Sequence, residues 1–250
     1  MSKLDIYKEL IANSICKFGD FRDGKNFNFN YHKLMANPNI NLKVLEYIGG
    51  KLDSIIEMDE LTKVENSEWE TDDMDDNGVI ADVVRVKSDG EDDESHSASF
   101  KRIIASYPES YIFATDIAVS NSKGLMIPNI GPNLDCEHVS FPDIFDINEP
   151  VALVVHMLTR ENHEQVAKLV KMLRDYGATV AYLVEIFSCN SGYELPLVLD
   201  KENPVKHISI FSISELCDAG ETNNMLDPYF TEKFKFNAET NTKLNAAKYS

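Results

Sequence analysis

Residues 151–187 contain the feature that most constrains the fold: an apolar run, a polar loop, an amphipathic segment and a second apolar run. The first run, residues 151–155, is unbroken, which is typical of a parallel strand covered by helices on both faces. The amphipathic segment carries apolar residues at helical spacing and ends at Gly177. With the second run, residues 178–187, the pattern predicts two parallel strands joined by a right-handed crossover helix.

The polar loop of this unit, residues 156–164, is the expected ligand site. In open α/β sheets, ligands bind beyond the carboxyl ends of the strands. Histidines beside carboxylates can perform general acid–base chemistry, and the loop has both. The same combination is common on protein surfaces, so surface polar residues are the favoured interpretation over a catalytic set. The residues concerned are His156, Arg160, Glu161, His163 and Glu164.

The charge balance limits the classes of partner. The chain has 250 residues, with 24 Lys and Arg against 42 Asp and Glu, and a formal net charge of −18. Such a charge repels polyphosphate backbones, which predicts no direct binding of nucleic acid. No apolar run approaches the roughly 20 residues that cross a bilayer, and the N-terminus lacks a secretory pattern. We therefore expect no membrane contact and a cytoplasmic or nuclear location.

The cysteines show no pattern of a metal or redox site. Cys16, Cys136, Cys189 and Cys217 form no CxxC pair and no cluster at zinc spacing. Reduced, mostly buried thiols are therefore expected. Sequence places no base beside Cys189, so a nucleophilic role for it is not favoured.

The first 100 residues predict two helices, an aromatic strand and two acidic loops. Phe27, Phe29 and Tyr31 alternate with asparagines, which is the period of a half-exposed strand. Residues 4–18 and 42–56 have apolar stripes at helical spacing. Acidic composition predicts loops at 57–78 and 88–96, with a short strand at 79–86 between them.

The remaining segments outside the central unit are shorter. We expect a helix at 100–106, a strand at 110–114, a long loop from 120 to 133, strands at 195–199 and 207–211, and a helix at 214–219. Residues 1–220 are interpreted as one domain. Residues 221–250 are interpreted as a polar extension, with an aromatic anchor followed by a frayed tail.

One acidic segment partly matches a calcium-binding loop. Asp73, Asp75, Asn77 and Gly78 follow the start of an EF-hand pattern, but its twelfth position is Val84 instead of glutamate. A solvated acidic loop is therefore favoured over a calcium site. The second acidic segment, 88–96, is a similarly weak magnesium candidate. No metal and no cofactor are expected.

The order of these elements, with short local matches, resembles orotate phosphoribosyltransferase and the wider type I phosphoribosyltransferase family. The matches lie at residues 17–21, 81–84, 151–187 and 207–216. The resemblance covers residues 3–219 and implies an α/β fold. Its expected features are a central, mostly parallel sheet flanked by helices, a small hood built from terminal segments, and a homodimer.

The chain departs from the family at the sites that the resemblance implies. In the family, two adjacent acidic residues after the central strand bind ribose hydroxyls, and a Thr/Gly-rich turn holds the 5-phosphate. The acidic pair is replaced here by His156 and Met157, and the turn by Thr159, Arg160, Glu161 and Asn162. The family's basic loop has no basic residue before Lys123, and carboxylates fill residues 87–94 where pyrophosphate would bind.

These departures predict a catalytically inactive scaffold with a structural or regulatory role. It would bind other proteins, as a homodimer or as a heteromer with an active paralogue. One alternative is an active phosphoribosyltransferase or nucleotide-related enzyme whose anion site is rebuilt from Lys25, Arg85, Lys123 and Arg160. Another alternative is a self-assembling structural protein of the viral capsid or occlusion type.

Overall fold

The computed structural model describes residues 2–21, 26–67, 100–129 and 139–249. These residues form seven β-strands and eight α-helices. The strands are β1 (Cys16–Phe18), β2 (Phe27–Phe29), β3 (Arg102–Ala105), β4 (Gly124–Met126), β5 (Glu149–Val155), β6 (Ala178–Ser188) and β7 (Lys206–Ser212). The helices are α1 (Lys3–Ala12), α2 (Tyr31–Met35), α3 (Pro38–Ser67), α4 (Tyr111–Ser120), α5 (His163–Asp175), α6 (Leu195–Val198), α7 (Ile213–Thr222) and α8 (Pro228–Tyr249).

Five strands form a parallel sheet in the order β4-β3-β5-β6-β7. The predicted strand, loop, helix and strand at its centre are confirmed as β5, α5 and β6. Residues 151–155 of β5 are all buried, as an unbroken apolar run requires. The α5 helix buries Val166, Leu169, Val170 and Leu173, the stripe expected from helical spacing.

The parallel sheet separates two hydrophobic cores, and alternate residues of each strand point into one core or the other. Ala152 and Val154 of β5 face one core, which α1, α3, α4 and α7 cover. Val151 and Leu153 face the other, which α5 covers. Because successive side chains of a strand point to opposite faces, one apolar run supplies both cores. The α/β class with helices flanking a parallel sheet is therefore confirmed.

The N-terminal helix is shorter than predicted. A capping box between Ser2 and Asp5 begins α1, which ends at Ala12 instead of continuing to residue 18. Ser14 has a positive φ of 54°, and this turn stops the helix. Residues 16–18 form β1, which pairs antiparallel with β2.

The aromatic strand is confirmed for Phe27 and Phe29 but not for Tyr31. The side chain of Asn30 accepts a hydrogen bond of 2.9 Å from the Lys33 N–H. This cap starts α2 at Tyr31, so the alternating pattern ends one aromatic residue early.

The third helix is longer than predicted, and the prediction of a loop at 57–78 is wrong for residues 57–67. It begins at Pro38 and continues through Gly49 and Gly50 to Ser67, so residues 57–67 are helical. Beside Gly49, α4 approaches closely: a Cβ there would lie 3.5 Å from Ser120 Oγ. The rest of the two acidic segments and the predicted strand at 79–86 lie outside the described residues.

The predictions for residues 100–114 are inverted. The expected helix is β3, and the expected strand is the start of α4. β3 lies between β4 and β5, and its Ile103, Ile104 and Ala105 are fully buried. A short run that is apolar on both faces has no period, so helix and strand cannot be separated by pattern. In α4 the apolar residues likewise extend around most of the helix, which removes its stripe.

The predictions for the rest of the chain are confirmed in part. Strand β7 and helix α7 confirm the predictions at 207–211 and 214–219. The predicted strand at 195–199 is wrong, because α6 forms there with a proline in its first turn. Within the predicted loop at 120–133, residues 124–126 form edge strand β4. No helix of the described residues has the length and apolar content to span a membrane.

The C-terminal segment is an ordered helix, so the predicted frayed tail is wrong. In α8, Phe234 is buried against the rings of Phe18 and Phe27, with centroids 5.5 and 5.6 Å away. Lys233 forms an ion pair with Asp20 at 2.6 Å. These contacts tie the C-terminal helix to the N-terminal hairpin, so the two terminal segments pack together.

Candidate functional site

A cleft of about 700 Å³ opens at the carboxyl edge of the parallel sheet. It lies where ligands bind in open α/β sheets, and the predicted loop after β5 forms one of its walls. The β1–β2 hairpin and α8 form other walls. Its lining includes Phe21, Asn26, Phe27, Asn28, Phe29, Tyr107, Glu109, His156, Met157, Thr159, Arg160, Glu161, Asn162, Gln165, Cys189, Tyr193, Phe234, Asn237 and Asn241.

The loop after β5 is closed by hydrogen bonds to its own chain. The N–H of Leu158 donates to Glu185 Oε1 at 2.8 Å, and the N–H of Thr159 donates to Asn162 Oδ1 at 2.8 Å. The amide of Asn162 also donates to the carbonyl of Met157 at 2.8 Å. Two backbone donors of the loop therefore already have acceptors within the protein.

Glu185, on β6, is a fully buried carboxyl group and was not predicted as a site residue. Its other oxygen lies 3.0 Å from Nε2 of His207 on β7. Burial raises the pKa of Glu185, and its hydrogen bonds to His207 and Leu158 oppose that shift. For His207, burial favours the neutral ring, but the contact with Glu185 outweighs it and raises the pKa.

His156 is not the surface residue that the sequence favoured. Its half-buried ring lies among those of Phe29, Tyr31, Phe113 and Phe187, with centroids between 4.8 and 6.1 Å away. Its Nε2 is buried and has no hydrogen-bond partner among the described residues. Burial lowers its pKa to about 4, so the imidazole is neutral at pH 7.

The other charged residues of the loop do not form a cluster with His156. His163 begins α5, with Nδ1 3.0 Å from the carbonyl oxygen of Arg160 and its ring centroid 4.8 Å from that of Tyr193. Arg160 is exposed, and Glu164 lies in the first turn of α5. The carboxylate of Glu164 interacts favourably with the positive end of the helix dipole. A phosphate at this helix N-terminus would be close to that negative charge.

The structure separates two residues of the alternative anion site. Lys123 precedes β4 at the amino edge of the sheet, with Nζ 5.9 Å from the ring centroid of Phe100. Arg160 follows the carboxyl end of β5, whose seven residues span roughly 20 Å. The two cations therefore cannot hold one phosphate. The other members, Lys25 and Arg85, lie outside the described residues.

The metal candidates and one of the four cysteines, Cys136, lie in segments outside the described residues. Asp73, Asp75 and Asn77 lie outside the described residues, and the described residues contain no group of three or more His, Cys, Asp or Glu that could hold a metal. Cys16, Cys189 and Cys217 are free thiols.

Cys189 lines the cleft, with Sγ 3.7 Å from Met157 Sδ. Burial raises the pKa of its thiol, so the reactive thiolate is disfavoured.

Sequence comparison gives no relative: no protein-family model matches the chain, and no curated protein matches it. Solved structures do match. UMP synthase from Leishmania donovani has a TM-score of 0.62 at 13% identity, covering 96% of this chain and 43% of that one. Orotate phosphoribosyltransferase from Francisella tularensis has a TM-score of 0.57 at 11% identity, covering 96% of this chain and 97% of that one. This chain spans less than half the length of the UMP synthase.

Further matches support the same architecture. Orotate phosphoribosyltransferase from Aeropyrum pernix has a TM-score of 0.56 at 14% identity, covering 89% of this chain and 99% of that one. Adenine phosphoribosyltransferase from Trypanosoma brucei, in complex with AMP, pyrophosphate and ribose-5-phosphate, has a TM-score of 0.51 at 10% identity, covering 92% of this chain and 85% of that one. The chain therefore has the fold of type I phosphoribosyltransferases, and the identities are too low to show more than the fold.

Proposed function

We propose that this protein has the phosphoribosyltransferase fold without the phosphoribosyl transfer activity, and acts by binding other proteins. The absence of phosphoribosyl transfer is supported mainly by the loop after β5, whose N–H groups are hydrogen-bonded within the protein. Thr159 is the first residue of the turn that, by the family resemblance, would hold the phosphate, and its N–H donates to Asn162 Oδ1; the preceding N–H, of Leu158, donates to Glu185. A phosphate bound to the Thr159 N–H would have to displace the Asn162 side chain.

The charges around the loop support the same proposal. Among the described residues that line the cleft, Arg160 is the only Lys or Arg, and the carboxylates of Glu109 and Glu161 also line it. Each close contact between like charges costs on the order of 1 to 4 kcal/mol, depending on the effective dielectric. From the described part of the lining, a phosphate would meet two carboxylates and one guanidinium group.

Exposed apolar residues at the opposite edge of the sheet support the second half. Ile144 and Ile147 are 84% and 92% exposed, and Tyr176 is 54% exposed. They lie in the segments before β5 and β6, at the amino ends of these strands. Large exposed aliphatic side chains of this kind favour a contact with another protein. A second copy of this chain, as the family resemblance implies, or a paralogue would fit this proposal.

The test is titration calorimetry with phosphoribosyl pyrophosphate and Mg²⁺, with an active orotate phosphoribosyltransferase measured in parallel. We expect no binding heat from this chain. Micromolar binding, or pyrophosphate release with orotate or another base, would instead favour an active enzyme with a rebuilt anion site. Static light scattering over a concentration series tests the second half: a defined dimer is expected, whereas open-ended growth would favour a self-assembling structural protein.

A further inference from the structure

Two sulfur atoms meet in the lining of the cleft, beyond the carboxyl ends of β5 and β6. Sγ of Cys189 lies 3.7 Å from Sδ of Met157, and both residues line the cleft. Met157 is the second residue after β5, and Cys189 directly follows β6. Met157 belongs to the core that α1, α3, α4 and α7 cover, and Cys189 packs against that core. The two neighbouring strands therefore bring a thiol and a thioether together from distant parts of the sequence.

The residue before Met157, His156, offers a nitrogen atom in the same region. Its imidazole borders the same core, with its centroid 5.7 Å from that of Phe187 and 6.1 Å from that of Phe113. His156 also lines the cleft, and its Nε2 is buried without a hydrogen-bond partner among the described residues. A buried polar atom of this kind is unfavourable unless something binds it. A neutral imidazole is the commonest metal ligand in proteins, so a metal ion is one partner that would satisfy it.

The separation of the two sulfur atoms fits one metal ion bound to both. A bond between a first-row metal and sulfur measures about 2.3 Å, so two such bonds at a tetrahedral or trigonal angle place the sulfurs about 3.8 to 4.0 Å apart. The observed 3.7 Å is close to this range, so little movement of either side chain is needed. Thiol and thioether ligands select soft ions such as Cu(I), whereas Mg²⁺ and Ca²⁺ prefer oxygen.

We propose that Cys189, Met157 and His156 form a binding site for Cu(I). The copper–sulfur bond to Cys189 forms as the thiol proton leaves to water, and copper remains Cu(I), so the step needs no oxidant or reductant. One thiolate neutralises one monovalent ion, and an uncharged complex suits the apolar surroundings of Phe29 and Phe187, whose ring centroids lie 4.3 Å apart. A divalent ion would keep a net charge there. The inference goes beyond the proposed function and does not depend on it.

Anaerobic titration of the full chain with Cu(I), in competition with a colorimetric Cu(I) chelator of known affinity, measures the site. We expect the chain to take one equivalent of Cu(I) from the chelator and to bind Zn²⁺ at least about 100-fold more weakly, because zinc prefers four ligands with more thiolates. X-ray absorption of the copper-loaded protein should show two sulfur atoms and one nitrogen bound to the ion. Cys136 lies outside the described residues, so the titration is repeated with Cys136→Ser to remove that thiol.

Variants in the Cys136→Ser chain link the binding to the three ligands. Cys189→Ser should weaken Cu(I) binding by about 100-fold, because it removes the thiolate. Met157→Leu and His156→Phe keep the side chains large and apolar, and each should weaken binding by about tenfold through the loss of one neutral ligand. Cys217→Ser is the matched control, since this buried thiol of α7 belongs to the same core but does not line the cleft. Thermal midpoints measured without metal check that each variant is folded.

Three results would overturn the proposal. The Cys136→Ser chain takes no Cu(I) from the chelator, so that any copper bound by the wild type belongs to Cys136. Either Met157→Leu or His156→Phe binds as tightly as its parent, which would remove that ligand from the site. Cys217→Ser weakens binding as much as Cys189→Ser does, the sign of non-specific binding to thiols. None of these results bears on the phosphoribosyl pyrophosphate titration, so failure of this inference can be told apart from failure of the proposed function.

Discussion

The carboxyl group of Glu185 joins three parts of the site: the loop after β5, its own strand β6, and His207 on β7. A buried carboxyl group is costly unless hydrogen-bonded or paired, and this one has both kinds of partner. Its hydrogen bond from the Leu158 N–H holds the loop against strand β6. At the scale of single residues, this contact is what sets the shape of the site.

Glu185→Ala should lower the free energy of unfolding by about 3 to 5 kcal/mol, because it leaves the Leu158 N–H and a buried histidine without their partner. Glu185→Gln should cost less, since the amide keeps the size and an acceptor oxygen. Urea denaturation measures both, with Glu202→Ala as a control at an exposed glutamate. A Glu185→Ala variant as stable as the control would show that the loop does not depend on this contact.

His207 should make the protein less stable as the pH rises. Its pKa is raised in the folded state above the ordinary value of 6.5, so the folded protein binds more protons than the unfolded chain. The stabilisation is complete below pH 6.5 and is lost as the pH rises through the folded-state pKa. Thermal midpoints measured between pH 6 and 9 should fall, and His207→Gln should flatten that slope. An unchanged slope in the variant would assign the pH dependence to other groups.

His156 should have the opposite effect, at lower pH. Its pKa is lowered to about 4, so the unfolded chain binds a proton that the folded protein does not between that value and 6.5. Stability should fall across this window as the pH decreases, by up to about 3 kcal/mol. His156→Phe should remove this loss. NMR titration of the His156 ring gives a direct check: ionisation near pH 6.5 would contradict the buried, neutral imidazole.

At the scale of elements, Phe234 is the buried aromatic residue through which α8 packs on the β1–β2 hairpin. Phe234 is 7% exposed and packs on the hairpin, whereas Phe236, two residues on, is 69% exposed. The two residues provide a matched pair of substitutions in one helix. The hairpin and α8 form two walls of the cleft, so their contact also shapes it.

Phe234→Ala should cost about 3 to 5 kcal/mol, the range for truncating a buried phenylalanine, and should increase amide hydrogen exchange in α8 and β1. Phe236→Ala should change stability by less than about 0.5 kcal/mol. Denaturation and hydrogen-exchange mass spectrometry measure the two effects. Equal behaviour of the two variants would show that α8 is not anchored through Phe234.

For the whole molecule, the exposed apolar residues at the amino edge of the sheet predict self-association. If the proposed dimer forms through this edge, Ile147→Asp should weaken it at least tenfold, because a buried, unpaired carboxylate is unfavourable in an apolar contact. Leu244→Asp is the control, since Leu244 is an apolar residue of α8 that is 64% exposed. Sedimentation velocity measures both. A dimer that survives Ile147→Asp but not Leu244→Asp would place the contact on α8 instead.

The central unit could be predicted because its sequence pattern is local and complete. Residues 151–155 are apolar at every position, and the stripe of α5 is regular, so burial on two faces and a crossover helix follow without knowledge of the rest. The order of these elements, with short local matches, carries the resemblance to type I phosphoribosyltransferases. The structural matches to orotate phosphoribosyltransferases confirm the fold.

The predictions for β3 and α4 exchanged helix and strand, which shows that the pattern of apolar residues cannot assign short buried segments. Both segments are short and apolar, and only their place in the molecule distinguishes them: β3 is hydrogen-bonded to β4 and β5, and α4 packs on α3. The C-terminal helix was missed for a related reason. Phe234 of this helix packs on the hairpin some 200 residues earlier in the chain, and a contact over that separation leaves no local signal.

The sequence by itself determined the β5–α5–β6 core and the location of the ligand loop, because apolar periodicity specifies which residues are buried. Only the tertiary structure determined which groups accept hydrogen bonds from that loop. Glu185 was visible as an acidic residue in an apolar run, but its partners come from a loop 27 residues before it and a strand 22 residues after it. Hydrogen bonds between distant segments depend on how the strands are arranged, and no local pattern encodes that arrangement.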